Sequence, residues 1–451
     1  MISNKVKADG FQGQAVILAG GFGTRLQSII GSEIPKPMAP IAGIPLLQRQ
    51  LKLLKSHGFT RIILLVHHQA DYIKSYFGNG DNFGVEIRYS IEDIPRGTAG
   101  AIFDCLTQLS DVFLIIYGDT YLDVDLSHFY ECKKSEFSVL TFCHPNSHPF
   151  DSDLLMLDSS GRVLRVFRPS KVDQILYQNL VNAALYVVDK RVFQLYVESV
   201  GVIDISSELF PVLLENNETI QAYKSVEFIK DMGTPERYSD VEESVVSGAT
   251  ERLSRRNKRL CIFLDRDGVI NREVGHLTKI SQFELLPNVA KAIKLVNRCG
   301  VLVICVTNQP VIARGDITLD ELAQIHMKME VELGKAGAYL DDIYFCPHHP
   351  DKGFDGEVPE LKIACDCRKP MPGMMLKAID EYNIDKKKSW LIGDHDRDII
   401  AGHSAGLKTV FMDQNLERKE GHEYIGNLVH TDLLIACQEI LKEMDVLVPS
   451  T

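Results

Sequence analysis

The sequence predicts an α/β protein made of two Rossmann-like, three-layer domains, each with a mostly parallel sheet between layers of helices. Apolar strands alternate with amphipathic helices, several strands run directly into glycine or aspartate, and the chain has 451 residues. A domain takes about 100–200 residues, so a chain of this length holds more than one. Alternating strands and helices are typical of parallel sheets that are covered on both faces.

The first half begins with an apolar strand at 15–19 that leads straight into Gly20. Apolar residues then recur at helical spacing over 46–56, and a β-rich run follows at 62–66. An unbroken apolar run predicts a further buried strand at 112–117. Strands of a parallel sheet deliver the residues that follow them to one edge, so this order also predicts where a site would lie.

The pattern changes near Ser247, where the polar and basic segment 248–258 lacks an apolar stripe. A patch for an anionic surface is one interpretation of such a segment, but a solvated linker between domains is the one we favour. The chain is thus divided into a first domain at 1–247 and a second at 259–451.

The second domain also opens with a strand, at 260–264, which leads into Asp265. Further apolar strands are predicted at 301–306 and at 390–392, and the latter leads into Gly393-Asp394. Acidic residues thus follow two strands of the same predicted sheet. In α/β sheets the chemistry lies at the carboxyl ends of the strands, so these acids are candidate site residues.

The composition excludes several classes of protein. Acidic residues outnumber basic ones 61 to 49, and the formal charge is -12. A general nucleic-acid binder needs a basic face that releases counterions, so this balance argues against one, but not against small phosphorylated ligands. No apolar run approaches the roughly 20 residues needed to span a bilayer, so we expect no membrane partner.

Most of the 10 cysteines lie scattered in apolar stretches, as Cys299 and Cys305 do. They are typical of reduced core residues rather than of a disulfide framework. The polar N-terminal residues lack the apolar segment of a signal peptide. We therefore expect the protein in the cytoplasm, and the sequence leaves a homo-oligomer open.

A glycine-rich loop follows the first strand and continues into basic residues. Glycines let backbone N–H groups approach phosphate oxygens, while Arg25 and Lys36 add two cations. A tight structural turn would explain the glycines alone. A dinucleotide-binding loop would need a third glycine where Leu26 stands, and the usual ATPase loop sequence is absent.

The string 18–26, with Pro35-Lys36-Pro37 after it, resembles the signature of sugar-1-phosphate nucleotidyltransferases. The resemblance extends over roughly 240 residues and implies that Asp119 and Asp231 bind Mg²⁺. It also implies a set of nucleotide- and sugar-binding residues. These are Gly20, Gly21, Gly23, Thr24, Gly97, Thr98 and Asn182.

One segment departs from that family. Its members carry a Glu-Lys pair where this chain has the sequence 167–171, so Arg168 or Lys171 is the candidate replacement for the lysine. The proposed chemistry brings several negative charges together, so catalysis consists mainly of positioning and charge neutralisation. Arg25 would stabilise the pyrophosphate leaving group, and Lys36 would orient the attacking sugar phosphate.

The second motif is Asp265-Arg266-Asp267, directly after a strand. Alone, it is equally compatible with a turn or a calcium ligand pair. Three later segments complete a resemblance to the haloacid-dehalogenase-type phosphatases, in order and in spacing: Thr307-Asn308-Gln309, Arg368-Lys369-Pro370 and Gly393-Asp394.

That resemblance implies a role for each residue. Asp265 would attack phosphorus, and Asp267 would act as general acid and base. Thr307, Asn308 and Lys369 would bind the substrate phosphoryl group. Asp265, Asp267 and Asp394 would hold Mg²⁺. For Asp398 a metal, lysine-orienting or purely structural role stays open.

Cys346, His348, Cys365 and Cys367 supply a sufficient ligand set for tetrahedral zinc, although their spacing is unusual and reduced loop cysteines are the alternative. Their position just before Arg368 closely resembles the heptose bisphosphate phosphatase branch of the superfamily. Histidinol-phosphate phosphatases are the second candidate. In the heptose bisphosphate branch, Arg314 and Arg368 are candidate binders of the retained substrate phosphate.

The two halves together suggest consecutive reactions. A heptose 1,7-bisphosphate 7-phosphatase makes heptose 1-phosphate, which a guanylyltransferase would join to GTP or another nucleoside triphosphate to give a GDP-heptose. Mg²⁺ would serve both sites and Zn²⁺ would be structural. The alternatives are a hexose-1-phosphate (for example mannose 1-phosphate) transferase with a histidinol-phosphate-type phosphatase, or one non-catalytic regulatory half.

Overall fold

The computed structural model describes residues 12–92, 94–170, 175–195, 202–413 and 426–448. They form two compact units. The first unit holds the described residues within Met1–His144, Asp153–Arg168 and Val181–Val246; the second holds those within Pro145–Ser152, Pro169–Leu180 and Ser247–Thr451.

The first unit contains thirteen strands and eight α-helices among its described residues. Its strands are β1 Gly13–Leu18, β2 Pro40–Ile41, β3 Ile44–Pro45, β4 Phe59–Val66, β5 Glu86–Ile91, β6 Val112–Tyr117, β7 Thr120–Asp123, β8 Val139–His144, β9 Leu154–Leu157, β10 Val163–Phe167, β11 Val181–Asp189, β12 Ile220–Lys224 and β13 Phe228–Asp231. Its helices are α1 Gln27–Ile30, α2 Leu46–Ser56, α3 Ala70–Phe77, α4 Gly97–Asp104, α5 Leu126–Glu131, α6 Lys190–Leu195, α7 Phe210–Glu215 and α8 Pro235–Val246.

The main sheet of the first unit has nine strands, with β10-β9-β11-β6-β1-β4-β5 along its path and β8 joining β11 to β12. Strands β6, β1, β4 and β5 are parallel, as predicted. The other half is built around β11, which runs antiparallel to β6, β8 and β9. The sheet is therefore mixed, and its parallel half carries the glycine-rich loop.

The second unit has a second three-layer arrangement. Its elements are α9 Ala249–Leu253, β14 Cys261–Leu264, α10 Val289–Arg298, β15 Leu302–Asn308, α11 Pro310–Ala313, α12 Leu319–Lys335, β16 Asp342–Cys346, α13 Gly373–Glu381, β17 Trp390–Gly393, α14 Asp396–Ala405, β18 Lys408–Met412, β19 Leu428–His430 and α15 Leu433–Glu443. Among its described residues six strands form the sheet, all parallel, in the order β16-β15-β14-β17-β18-β19.

Both sheets are buried because their central strands are apolar on both faces. All four residues of β14 are buried, and so are all four of β17. Trp390 is among the largest fully buried side chains of the second unit. The predicted α/β fold class is confirmed, and the helix predicted at 46–56 has these bounds in the structure.

The prediction of a solvated linker at 248–258 is wrong for its first half. Residues Ala249–Leu253 form α9, in which Ala249 and Leu253 are buried. The Arg252 Nε donates to the carbonyl of Cys299 at 2.9 Å. Helix α9 contains too few apolar residues to show a helical period in the sequence. The basic residues around it therefore led to the prediction of a linker.

Two short segments that we assigned to the first domain belong to the second compact unit. Within 145–152 and 175–180, Asn179 Nδ2 donates to the Asn146 carbonyl at 2.8 Å, and Asn146 Nδ2 donates to Ser152 Oγ at 2.9 Å. The Asn179 N–H also donates to Glu330 Oε1 of α12 at 3.4 Å. These contacts explain why both segments group with α12.

No α-helix in the described part of the chain is long and apolar enough to cross a bilayer.

Candidate active sites

The glycine-rich loop of the first unit follows β1 at the carboxyl edge of the parallel strands. Gly23 has a φ of 60°, and a Cβ there would come within 2.7 Å of Lys36 Cβ, so the loop can pass over Lys36 only because this residue is glycine. Gly118, after β6, donates its N–H to the Leu18 carbonyl at 2.9 Å. The loop and Asp119 are therefore neighbours.

The two aspartates predicted to bind metal lie on neighbouring backbone segments of this unit. Asp231 ends β13 opposite Thr120, and the Met232 N–H donates to the Asp119 carbonyl at 2.8 Å. Asp119 forms an ion pair with Lys36, and Asp231 forms one with Arg237 at 2.8 Å. Carboxylate oxygens are suitable ligands for Mg²⁺, and both here are neutralised by cations of the chain itself.

A cavity of about 430 Å³ opens beside these charges. Besides apolar residues, it is lined by most of the predicted nucleotide-binding residues together with Arg25, Lys36 and Asp119. Those nucleotide-binding residues are Gly20, Gly21, Gly23, Thr24, Gly97 and Thr98. A volume of this size fits a small-molecule ligand.

Glu92 is a lining residue that the sequence reasoning missed. Its Oε1 accepts from the Arg96 N–H at 3.2 Å, and a Cβ on Gly20 would lie 3.4 Å from its Oε2. Burial raises the pKa of Glu92 above its usual value. Its place after strand β5 is the same strand-end signal that identified the aspartates.

The structure does not place three of the predicted sugar-site residues at the cavity. Asn182 does not line the cavity; its amide accepts from Thr141 Oγ1 and donates to Ser206 Oγ, each at 2.9 Å. Arg168 is exposed and binds Asp153 Oδ1 at 2.7 Å. Lys171 lies outside the described residues.

The second unit brings its predicted catalytic residues to one sheet edge. Asp265 follows β14, Thr307 lies near the end of β15, and Asp394 follows β17. Since β14 lies between β15 and β17, the three side chains come from adjacent strand ends. This is the placement that the strand pattern predicted.

A buried ion network crosses this edge. Lys369 Nζ lies 2.9 Å from Asp265 Oδ1 and 2.7 Å from Asp398 Oδ1, and it donates to the Val306 carbonyl at 2.8 Å. Burial and the charges of Asp398 and Asp394 raise the pKa of Asp265. Asp398 therefore orients Lys369, which is one of the roles left open for it.

Asp267 has a different environment. The Arg266 guanidinium binds both of its oxygens, at 2.8 and 3.0 Å, and Gln309 Nε2 donates to Oδ2 at 3.0 Å. Burial favours the neutral acid, but the Arg266 charge and these hydrogen bonds prevail and lower the pKa of Asp267. The resting carboxylate can accept a proton; to donate one, it must first take a proton and loosen its Arg266 contacts.

Arg266 is itself held by a neighbouring histidine. It is almost fully buried, and its Nη1 lies 3.4 Å from Nε2 of His326 on α12. Burial and the Arg266 charge lower the pKa of His326 to about 3, so the imidazole is neutral and can accept a hydrogen bond. Sequence reasoning missed His326, because nothing in the motif points to a histidine sixty residues later.

Asp394 belongs to a group of candidate metal ligands made of two carboxylates and one imidazole. Ligand atoms of Asp394, His395 and Asp398 all lie within 4.8 Å of one another. Gly268, at φ 80°, leaves room for Asp394, because a Cβ at that position would collide with the Asp394 carboxylate. The Asp267 carboxylate points to Arg266 instead, so its part in metal binding stays a prediction.

The four predicted zinc ligands form one cluster. Sulfur separations are 3.6 Å for Cys346–Cys365, 3.3 Å for Cys346–Cys367 and 3.2 Å for Cys365–Cys367; His348 Nδ1 lies 3.3–3.6 Å from two of them. A disulfide needs about 2.0 Å, whereas zinc bonds of about 2.3 Å give tetrahedral edges of about 3.7 Å. The donor set therefore fits a tetrahedral thiophilic ion.

The remaining predicted residues of the second unit are Asn308, Arg368 and Arg314. Asn308 binds the backbone of Lys369 through both of its amide atoms, at 3.0 Å each. Arg368 Nη1 donates to the His348 carbonyl at 3.3 Å, and Arg314 stacks over Phe354 at 4.7 Å. Asn308 thus positions Lys369, and a direct contact with substrate stays a prediction.

Sequence comparison now decides the family. The profile of the nucleotidyl transferase family matches residues 14–248, more than half of the chain. The chain belongs to the nucleotidyl transferase family. A HAD-hydrolase-like profile matches residues 366–435 of the second unit.

Characterised relatives extend this result. The chain is 41% identical over 148 residues to D-glycero-beta-D-manno-heptose-1,7-bisphosphate 7-phosphatase of Yersinia pestis, which is 33% of this chain and 77% of that protein. It is 42% identical over 156 residues to D-glycero-alpha-D-manno-heptose-1,7-bisphosphate 7-phosphatase of Photorhabdus laumondii, which is 35% and 83%. It therefore also belongs to this phosphatase family, and it is a bifunctional enzyme.

Among solved structures, HddC from Yersinia pseudotuberculosis is 27% identical and aligns over 52% of this chain and 100% of its own, with a TM-score of 0.45.

The space that Gly268 leaves for Asp394 gives a first prediction. Gly268→Ala would displace the Asp394 carboxylate, and displacing a catalytic group by about 1 Å can reduce the rate about 100-fold. We expect phosphate release to fall by that order while pyrophosphate release by the transferase stays unchanged. Both rates are measured on the same preparation.

Gly275→Ala is the matched control. Gly275 has nearly the same φ, 79°, but nothing within 4 Å of its added Cβ. Both variants bear the backbone cost of a left-handed alanine, about 1–2 kcal/mol, so only the collision differs. Equal losses of phosphate release in the two variants would contradict the assignment.

Proposed function

We propose that this enzyme makes a GDP-heptose in two consecutive reactions. The second unit hydrolyses the 7-phosphate of D-glycero-D-manno-heptose 1,7-bisphosphate, and the first joins the resulting heptose 1-phosphate to GTP. The observation that carries the proposal is one chain with two separate sets of strand-end carboxylates, each neutralised by cations of its own. The product of one reaction is then the substrate of the other.

The sugar of the phosphatase reaction is supported by the relatives. Both named phosphatases act on a heptose 1,7-bisphosphate, at about 40% identity over more than three quarters of their length. One carries the beta anomer in its name and the other the alpha anomer. The two names therefore support a heptose 1,7-bisphosphate as the substrate and do not distinguish its anomers.

In the phosphatase reaction, an Asp265 oxygen attacks phosphorus and the bond to the sugar oxygen breaks. Asp267, having taken a proton, protonates that leaving oxygen, so a sugar hydroxyl and an aspartyl-phosphate form. Water then attacks the aspartyl-phosphate, Asp267 accepts its proton, and phosphate leaves. We expect Lys369 and Thr307 to bind the phosphoryl oxygens, and the ion pair of Lys369 with Asp265 counters the charge of that carboxylate.

In the transferase reaction, a phosphate oxygen of the sugar attacks the α-phosphorus of the nucleotide, and the bond to the β-phosphate breaks. Arg25 and the glycine-rich loop stabilise the pyrophosphate that leaves. Lys36 orients the attacking phosphate. To do so, it must give up its ion pair with Asp119 and bind the substrate instead. Lys36 therefore replaces one charge pair with another when the sugar phosphate binds.

Mg²⁺ would be held by Asp119 and Asp231 in the first unit and by Asp265 and Asp394 in the second. When bound it neutralises phosphate charge and favours the ionised form of the acids around it. Lys36 and Arg237 would then give up their contacts with Asp119 and Asp231 to the metal ion.

Glu92 supports GTP as the nucleotide. An ionised carboxylate only accepts hydrogen bonds, and the guanine edge offers adjacent N1–H and N2–H donors. Adenine and cytosine present an acceptor beside their amino group, and uracil presents a single N–H between two acceptors. Glu92 lines the cavity beside the glycine-rich loop, where a Cβ on Gly20 would lie 3.4 Å from its Oε2.

The main test separates the two activities. Asp119→Asn should reduce pyrophosphate release by at least about 100-fold, because charge stabilisation at the reacting phosphates is lost, and leave phosphate release unchanged. Asp265→Asn should do the reverse, and a mixture of the two variants should again form the nucleotide sugar. Near-normal pyrophosphate release by Asp119→Asn would refute the transferase site.

A nucleotide panel tests Glu92. Glu92→Gln places an amide donor against the guanine donors, so kcat/KM for GTP should fall about 10- to 100-fold while that for ATP and UTP changes little. Glu86→Gln on β5 removes an exposed carboxylate of the same region as the control. An unaltered preference in Glu92→Gln, or a wild-type enzyme that does not prefer GTP, would contradict the assignment.

We propose zinc for the Cys346, His348, Cys365 and Cys367 cluster. Zinc would order the loop that carries Arg368 and Lys369 into the phosphatase site. Metal analysis should find about one equivalent of zinc per chain, and Cys367→Ser should lower both that content and the phosphatase rate. A metal-free chain with full phosphatase activity would exclude this role.

A further inference from the structure

The two aspartates of the transferase site lie where the chain passes from one sheet to another. Strand β6 belongs to the nine-stranded main sheet and ends at Tyr117, whereas β7 begins at Thr120 and pairs with β13 in a separate two-stranded sheet. Asp119 lies in the connection between β6 and β7, and Asp231 ends β13 opposite Thr120. The separation of the two carboxylates therefore depends on how the two sheets are held together.

One buried side chain joins the ends of these strands. Gln50 of α2 is buried, and its Nε2 donates to the Tyr117 carbonyl at 2.9 Å and to the Thr120 carbonyl at 2.7 Å. A single amide thus binds the last residue of a main-sheet strand and the first residue of the small sheet. Both partners are acceptors, so the nitrogen of the amide must face them.

Packing of α2 does not by itself explain an amide at this position. Leu47, Leu51 and Leu54 of the same helix are buried in the apolar core. The Oε1 of Gln50 is buried without a hydrogen-bond partner among the residues that the structure describes. Buried polar atoms are normally bonded, and an unbonded one destabilises the fold. The two bonds of Nε2 are thus made at the expense of an unbonded oxygen, which indicates that the positions of the two carbonyls matter.

We propose that Gln50 is a positioning residue of the transferase, which holds the Asp119 and Asp231 carboxylates at the separation that Mg²⁺ requires. Mg²⁺ demands near-ideal geometry, with ligand distances of about 2.0–2.1 Å, so a small shift between the two sheets would weaken its binding. This inference rests on the proposed transferase function.

Another contact of the same turn has a different effect. The Met232 N–H donates to the Asp119 carbonyl at 2.8 Å, and Met232 directly follows β13. This bond fixes Asp119 against the small sheet, whereas Gln50 fixes the small sheet against the main sheet. Loss of the Gln50 amide should therefore leave the local turn intact and loosen the junction of the two sheets.

The test removes the amide while keeping the length of the side chain. In Gln50→Met we expect the Mg²⁺ concentration for half-maximal pyrophosphate release to rise about 10-fold or more, the usual effect of losing a group that orients a metal ligand. Phosphate release, measured on the same preparation, should be unchanged. Gln50→Asn keeps an amide that is too short to reach both carbonyls, so it should show a smaller change in the same direction.

Equilibrium binding of GTP, without sugar phosphate, gives a readout that does not depend on turnover. Calorimetry with and without Mg²⁺ measures the gain in GTP affinity that the metal supplies. In Gln50→Met this gain should fall about 10-fold, while the affinity without Mg²⁺ stays the same. Gln50 is not one of the residues that line the nucleotide cavity, so a direct loss of nucleotide contacts is not expected.

Gln14→Met is the matched control. Gln14 is likewise buried and also makes two bonds to backbone groups, from its Nε2 to the Gln108 carbonyl at 2.9 Å and from the Ser110 N–H to its Oε1. It lies near the amino end of β1, at the edge of the main sheet away from the glycine-rich loop. Both variants lose a buried amide with two bonds, and only Gln50→Met should change the response to Mg²⁺.

The possible results separate the inference from the proposed function. Equal changes in Gln50→Met and Gln14→Met, or a loss of GTP affinity that is the same with and without Mg²⁺, would show a purely structural role and overturn the inference. An unchanged response to Mg²⁺ in Gln50→Met would overturn it as well. A wild-type enzyme that binds GTP equally tightly with and without Mg²⁺ would contradict the metal role of Asp119 and Asp231 itself, and the inference with it.

Discussion

Neutralisation of strand-end carboxylates by cations of the same chain is the interaction on which both sites depend. Parallel strands bring their following residues to one edge, so the fold itself concentrates acids there. Such acids repel one another, and in a buried site they would otherwise take up protons. Lys369 between Asp265 and Asp398, and Lys36 on Asp119, supply the opposing charge.

The same constraint explains how an acidic chain can bind highly charged substrates. The net charge of -12 describes the whole molecule, whereas each site contains its own local cations. A phosphate that enters must compete for a lysine or arginine already paired with a carboxylate, and a metal ion must compete for that carboxylate. Binding therefore exchanges charge pairs instead of creating uncompensated ones.

The sequence predicted the parts of the structure that depend on local pattern. Asp265 was identified because an apolar run stops at an acidic residue, whereas the role of Asp119 came from the resemblance to the nucleotidyltransferases. The antiparallel half of the first sheet was not predicted, because β11 pairs with strands far away in the chain. Helix α9 was also missed, since its burial comes from contacts with distant residues and not from a long apolar stripe.

The sequence motifs contain the residues proposed to react or to bind substrate. The residues that position them were found in the folded structure. Glu92 follows a strand, as the aspartates do, whereas Arg237 and His326 have no such signal and became visible only through their contacts with Asp231 and Arg266. The proposed roles of Asn182 and Arg168 rest on resemblance, because their side chains bind other residues of the first unit.

The central claim is that one chain carries out both steps in sequence. The most direct measurement supplies the purified enzyme with heptose 1,7-bisphosphate, GTP and Mg²⁺, and quantifies phosphate, pyrophosphate and nucleotide sugar together. We expect all three in equal amounts, and, with heptose 1-phosphate as substrate, pyrophosphate and nucleotide sugar without phosphate. Phosphate release that never leads to a nucleotide sugar would contradict the account.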